Sequence, residues 1–186
     1  MAFVKKYAPL LACLFMASSG FYDPGDVYQT TNGKIAFKSE APLELIKASS
    51  DQLNGLLDAD KKSFSFKVSM RSFQGFNSPL QKEHFNENYV ESDKYPIASF
   101  SGKIIEDVNL AAEGTYDVRA KGTFTIHGVQ QERIIKSQLT VKNKKISIKS
   151  GFTVLLSDHN IPIPKVVYQK LANEINVDIS ATLELR

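Results

Sequence analysis

The chain has 186 residues, of which 42% are hydrophobic and 23% charged. That balance fits one globular domain and excludes a disordered tail, a collagen-like fibre and a polytopic membrane protein. Lys and Arg total 23 against 20 Asp and Glu, with Lys5 and Lys6 in a segment expected to be removed. The rest is nearly balanced and has no basic stripe, so nucleic acid is not an expected partner.

Residues 1–20 read as a signal peptide. Lys5 and Lys6 give a positive start, Tyr7 to Met16 an apolar run, and Ala17-Ser18-Ser19-Gly20 a small-residue cleavage region. The run is too short to span a bilayer, which takes about 20 residues. Export to the periplasm is the expectation, with residues 21–186 as the mature domain. Leu10-Leu11-Ala12-Cys13 also has the form of a lipobox, and a lipidated Cys13 would associate the domain with a membrane. The short spacing from Lys6 to Cys13 favours plain cleavage near Gly20 or Phe21. Cys13 is the only cysteine, so the mature domain is expected to lack disulfides, a thiolate nucleophile and cysteine-bound metal.

After the leader, short strands are predicted at Val27–Thr31 and Lys34–Ser39, joined by a type I′ turn at Asn32-Gly33. Further strands are predicted at Pro42–Ser49 and Leu53–Leu57, followed by a polar loop at Asp58-Ala59-Asp60. Phe64, Phe66, Val68 and Met70 alternate with polar residues. Ser78-Pro79 supplies an N-cap and a helix-starting proline for a helix over Leu80–Tyr89. Strands follow at Ile97–Ile105, Tyr116–Ile126 and Gln131–Lys142, with Asn143-Lys144 turning the chain into Lys145–Val154. Ile163-Pro164 predicts a second helix over Lys165–Asn173, with Val166, Val167, Leu171 and Ala172 as its apolar face. Ile175, Val177, Ile179, Ala181, Leu183 and Leu185 then alternate with polar residues in a last strand.

Period-two alternation gives each strand one apolar and one wet face. Tyr116, Val118, Phe124, Ile146, Ile148, Phe152, Val154, Ile179 and Leu183 should point inward, and Arg119, Lys149 and Asp178 outward. The fold class is mainly β: a closed antiparallel barrel or a sandwich, with two short helices as lids. An outer-membrane barrel is disfavoured, because Asp117, Arg119 and Lys149 would face lipid at mid-strand. Ala120, Gly122, Ser137, Ser150 and Ala181 interrupt the bulky inward stripes. Such residues either leave room for a ligand or accommodate Phe64, Phe66, Phe100, Phe124 and Phe152 opposite, and composition does not separate the two. The aromatic group Phe73, Phe76, Phe85 and Tyr89 likewise reads as lid packing, as a tunnel mouth, or as both.

His84-Phe85-Asn86-Glu87-Asn88-Tyr89-Val90-Glu91-Ser92-Asp93-Lys94-Tyr95-Pro96-Ile97-Ala98-Ser99-Phe100 resembles the signature of YceI-like proteins. Gly122-Thr123-Phe124-Thr125-Ile126-His127-Gly128-Val129 resembles that family's second landmark, and the likeness runs from about Thr31 to Leu185. The resemblance implies an extended lipocalin-like barrel whose apolar tunnel holds a long-chain amphiphile: a polyisoprenoid, an isoprenoid quinone or a fatty-acid derivative. Lipid-contacting residues are then expected at Phe66, Met70, Phe76, Phe85, Tyr89, Phe100, Tyr116, Val118, Ala120, Phe152, Val154 and Ala181, with His84 and His159 as polar groups near the mouth. Gln81 stands where the family often has Arg, and Ser157-Asp158-His159-Asn160-Ile161-Pro162 replaces its Asp/Arg-x-Phe-Gly segment.

No cofactor and no catalytic residue is expected. His84, His127 and His159 lack metal-ligand spacing, and neither a nucleophile elbow nor a phosphate loop is present. His84 is read as a partly buried helix residue, and His127 as a polar residue on the outward phase of its strand. The alternatives are an enzyme on the same barrel, with His84, Glu83, Asp158 and His159 as acid–base candidates, or a ligand-free stress or interaction module. A homodimer is left open.

Overall fold

The computed structural model describes residues 25–186. The predicted leader, Cys13 and the cleavage point near Gly20 and Phe21 lie outside the described residues. Strands β1 (Val27–Glu40), β2 (Leu45–Asp58), β3 (Ser63–Ser69), β4 (Ile97–Ile104), β5 (Gly114–Ile126), β6 (Val129–Lys142), β7 (Lys145–Leu155) and β8 (Glu174–Leu185) follow in chain order. Each pairs antiparallel with the next and β8 returns to β1, closing an eight-stranded barrel. Closure removes the exposed edges that an open sheet of such long strands would carry.

The alternation works as expected. The residues assigned inward are buried or half-buried, and Arg119, Lys149 and Asp178 are exposed. Leu185 departs from its stripe, because it lies at the barrel's rim and is exposed. Two hairpins use dipeptides with both residues at positive φ, as type I′ turns require: Asn143-Lys144 between β6 and β7, and His127-Gly128 between β5 and β6. His127 is therefore a turn residue, not a strand residue.

Asn32-Gly33 makes no turn. β1 runs straight through it with a register shift, and β2 continues through Asp51-Gln52 with a matching shift. Paired bulges let two 14-residue strands coil around the barrel without breaking. Gly33 sits in a tight place: an added Cβ would lie 3.0 Å from the Ala181 Cβ and would press it aside by a few tenths of an ångström. Gly122 is likewise a packing glycine, opposite Gly102 on β4, where a Cβ would fall 2.1 Å from the Ser101 carbonyl oxygen. Its smallness lets strands approach and opens no cavity.

The helix after Ser78 forms as α1 (Pro79–His84), its first turn capped by Ser78 Oγ accepting from Gln81 N at 3.1 Å. It widens into a π-turn over Phe85–Tyr89, closed by Val90 N donating to the Phe85 carbonyl at 3.0 Å. The second predicted helix is reduced to a 3₁₀ turn at Lys165–Val167. Pro162 and Pro164 hold the approach extended, and after the 3₁₀ turn the chain makes one more turn, with Lys170 N and Leu171 N donating to the Val167 carbonyl at 2.8 and 3.0 Å, before Asn173 accepts a bond from Leu156 N and β8 begins. Among the described residues, no helix is long and apolar enough to cross a membrane.

One end of the barrel is filled. Leu110, in the loop between β4 and β5, joins Tyr28, Leu57, Leu139, Ile146 and Leu183 in a buried cluster. The other end carries the longer connections, residues 70–96 and 156–173.

Candidate functional site

At the open end the inward side chains do not meet. They leave a cavity of about 410 Å³, lined by β1 (Ile35, Phe37), β3 and the residue after it (Val68, Met70), β5 (Phe124, Ile126), β7 (Phe152, Val154) and β8 (Ile175, Val177), and covered by α1 and both long connections. Deeper in the barrel lies a second space of about 90 Å³, lined by Leu53, Leu57, Phe64, Phe66, Phe100, Val118, Ala120 and Ile148. Ile35, Val68, Ala98, Phe124 and Phe152 line both, so they form the waist where the chambers abut. A chamber of a few hundred Å³ with apolar walls and few polar groups has the dimensions of a small-molecule or lipid site.

The mouth is ringed by aromatics. Phe37 stacks on Phe85 at 5.4 Å between centroids, with Phe73 at 5.5 Å and Phe76 at 6.0 Å. Phe73 and Phe76 come from the segment after β3, which fills the gap beside the upper half of β2 through the Ser49–Gln74 bridge. The aromatic group thus both packs the lid and walls the cavity. Tyr89 lines the chamber, and burial pushes its phenol up from the ordinary tyrosine value.

Of the residues expected to contact lipid, Met70, Phe76, Phe85, Tyr89 and Val154 line the outer chamber, Phe66, Phe100, Val118 and Ala120 the inner one, and Phe152 both. Ser137 and Ser150 also line the inner chamber, where Ser137 Oγ donates to Ser150 Oγ at 3.1 Å. Tyr116 and Ala181 lie elsewhere, in the filled end; Tyr116 donates its hydroxyl to the Ala112 carbonyl at 3.0 Å. Sequence reasoning missed Ile35 and Phe37. They lie on the predicted strand Lys34–Ser39, but which of its faces points into the chamber is set by the barrel's register.

His84 is exposed at the rim and lines the outer chamber with Glu44, Gln81 and Lys170. Gln81 is engaged in structure: its side chain donates to Glu44 Oε1 at 2.8 Å and accepts from Asn77 N at 3.0 Å. His159 is not at the mouth. It is completely buried in the turn after β7, edge-on to Phe124, with neither ring nitrogen in a well-formed hydrogen bond. Burial holds its pKa below the ordinary histidine value, partly offset by the Val129 backbone and by Asp158.

His127 makes the close histidine–carboxylate pair, its Nε2 2.6 Å from Glu91 Oε2 and its Nδ1 2.9 Å from the His159 carbonyl oxygen. Both partners are acceptors and both nitrogens are engaged, so the ring is a tie between three loops, with no free nitrogen for a substrate. Among the described residues, no group of three or more His, Cys, Asp or Glu is placed to hold a metal ion.

The β6–β7 seam is the other unusual part of the wall. Backbone pairing stops at Ser137–Ser150, leaving the upper half of β6 unpaired with β7. There the inward phase of β6 carries Gln131 and Arg133, polar groups that reach across the seam: Arg133 Nη2 donates to the Thr153 carbonyl at 2.6 Å, and Gln131 Nε2 to the Asp158 carbonyl at 3.0 Å. Side chains here do the work of a backbone ladder.

The fold has solved counterparts. A polyisoprenoid-binding domain from Saccharophagus degradans, implicated in plant cell wall breakdown, superposes with a TM-score of 0.72 at 13% identity, covering 87% of this chain and 99% of that one. Burkholderia cenocepacia BcnA gives 0.65 at 15% identity, over 81% of this chain and 95% of that one. The Campylobacter jejuni YceI protein gives 0.56 at 16% identity, over 100% and 92%. At such identities the likeness is one of fold. No curated protein sequence matches. The model of the YceI-like domain, however, matches residues 28–183, nearly the whole barrel, and the chain belongs to the YceI-like family.

Proposed function

We propose that this protein is a non-enzymatic carrier of a long-chain amphiphilic lipid, such as a polyisoprenoid, an isoprenoid quinone or a fatty-acid derivative, which it stores or moves in the periplasm. The observation that carries this reading is the apolar outer chamber of about 410 Å³ abutting a second chamber deeper in the barrel. A flexible chain can thread the waist and bury its methylenes in both. About ten of them contribute roughly 8 kcal/mol before ordering costs, so binding needs little from charged contacts. A solved neighbour of this fold is described as polyisoprenoid-binding, which supports the same ligand class. Organic extraction and mass spectrometry of protein purified from a native-like host test the proposal. A stoichiometric amphiphile is expected; a lipid-free protein that also takes up no added isoprenoid or fatty acid would leave the ligand-free reading.

A further inference from the structure

Large apolar side chains on a protein surface are normally scattered singly. Here four gather around one opening: Leu43 is 67% exposed, Leu80 57%, Val166 89% and Tyr168 63%. They come from three different segments, the β1–β2 loop, α1 and the 3₁₀ turn, and each lines the outer chamber or sits next to a residue that does: Glu44, Leu80 itself and Val167. Leu43 N donates to the Gln169 carbonyl at 2.8 Å, so the first and third segments form one continuous rim.

Charge along that rim is uneven. Lys165 and Lys170 bracket Val166 and Tyr168, and no acidic residue occurs from Asn160 to Asn173. Neither lysine forms an ion pair among the described residues. Glu44 and Glu83 lie on the other two segments, and Glu44 is engaged by Gln81. The edge with the most exposed apolar residue is therefore also the cationic edge. A valine, a tyrosine and two flanking lysines suit a lipid–water boundary, where the apolar body enters and the ammonium groups stay at the headgroups.

We propose that this rim docks on the surface of an anionic lipid bilayer, with the Lys165–Lys170 turn leading, so that the chamber mouth opens directly onto lipid. The inference rests on the chamber being a lipid site: a chain leaving the bilayer there would not cross water. The test is co-sedimentation of the full mature chain with vesicles of phosphatidylcholine alone and of phosphatidylcholine mixed with phosphatidylglycerol. Binding to the anionic vesicles is expected, weakening with added salt. Val166→Asp should reduce it by about tenfold or more, and Lys165→Glu and Lys170→Glu by about fivefold or more each. Lys165 and Val166 are exposed and do not line the chamber, so for Lys165→Glu and Val166→Asp circular dichroism and lipid content by mass spectrometry should not change.

Equal partition of wild type and variants, or none by either, overturns the docking proposal. So does a homodimer in light scattering that Val166→Asp dissolves, because the rim would then be covered by a second copy. If the purified protein contains lipid yet ignores vesicles, docking fails while lipid carriage stands; if it contains none but still binds vesicles, the failure is that of the carrier reading.

Discussion

At the filled end of the barrel, one residue from a nine-residue loop makes the difference: Leu110 drops onto Tyr28, Leu57, Leu139, Ile146 and Leu183 and completes a core. At the open end most inward side chains are again apolar, Gln131 and Arg133 on β6 excepted, but two long connections arch over them and leave a chamber of about 410 Å³. Strand composition alone does not explain the contrast between the ends. What distinguishes them is whether the connecting segment sends a side chain inward or lies across the opening. The wall is interrupted at both ends: in the filled half β1 bulges against β2 and β8 around Asn32-Gly33, and at the open end the β6–β7 seam depends on Gln131 and Arg133. Packing is thus completed at one end, and an opening is left at the other.

The largest effect that could sharpen this contrast is truncation in the filled end. Leu183 has no exposed surface, and Leu183→Ala should cost about 3–5 kcal/mol in denaturant unfolding. Phe76→Ala, half-buried beside existing empty space, should cost only about 1–2 kcal/mol. Comparable costs at the two sites would mean that the chamber is collapsed in solution. Enlarging small residues is the next step down. Ala181 is buried against Gly33 and Ile148, so Ala181→Leu should overpack and cost about 1–3 kcal/mol. Ala98 sits at the waist, and Ala98→Leu has space to enter. It should cost less than about 1 kcal/mol while reducing the lipid recovered by extraction, since a chain could no longer reach the inner chamber. Undiminished lipid in Ala98→Leu would confine the ligand to the outer chamber.

Much of this architecture was legible beforehand, because side-chain alternation reports directly which face is buried, and the inward residues of β5, β7 and β8 fell where their spacing put them. The helix at Ser78-Pro79 was legible for a similar local reason: cap and proline act within one turn. What failed was anything set by tertiary crowding. Asn32-Gly33 carries turn chemistry, yet the partner strands on both sides hold it in a bulge. Ala181 and Gly122 look like room for a ligand, yet each accommodates a neighbouring strand. The segment at Lys165 has a helical composition, but it makes only a 3₁₀ turn and one further turn before Asn173 pairs with Leu156. Of the site, the aromatic mouth was visible as composition; Ile35, Phe37 and the waist needed the barrel's register.

A smaller effect is expected at the seam. Arg133→Ala removes the side chain that bonds the Thr153 carbonyl. The guanidinium is only partly buried, so the loss should be near the lower end for a charge-assisted bond, about 1–1.5 kcal/mol. The consequence should be local: amide hydrogen exchange accelerates over residues 151–155 of β7 and stays unchanged at Ile146 and Ile148. Uniform acceleration through the barrel would show that the seam is no weaker than the filled end.

The smallest predicted effect is a pH dependence arising from His159. In the unfolded chain its ring takes up a proton near the ordinary value of about 6.5, whereas in the barrel burial keeps its affinity for a proton lower. Arg133 and His127 add to that lowering; Asp158 and the Val129 backbone oppose it without cancelling it. Between the native and the unfolded values the unfolded state binds more protons, so stability falls as the pH drops through about 6.5 and levels off below the native value. His159→Leu removes the titrating group, and because neither ring nitrogen makes a well-formed hydrogen bond, the only polar contact it removes is the one with the Val129 backbone. The variant should therefore match the wild type near neutral pH and lose less stability on acidification. His127 and Glu91, on the neighbouring loops, are present in both proteins, so the difference between the two melting curves isolates His159. Parallel curves would mean that acid acts elsewhere, and that the buried ring beside Phe124 fills space without sensing protons.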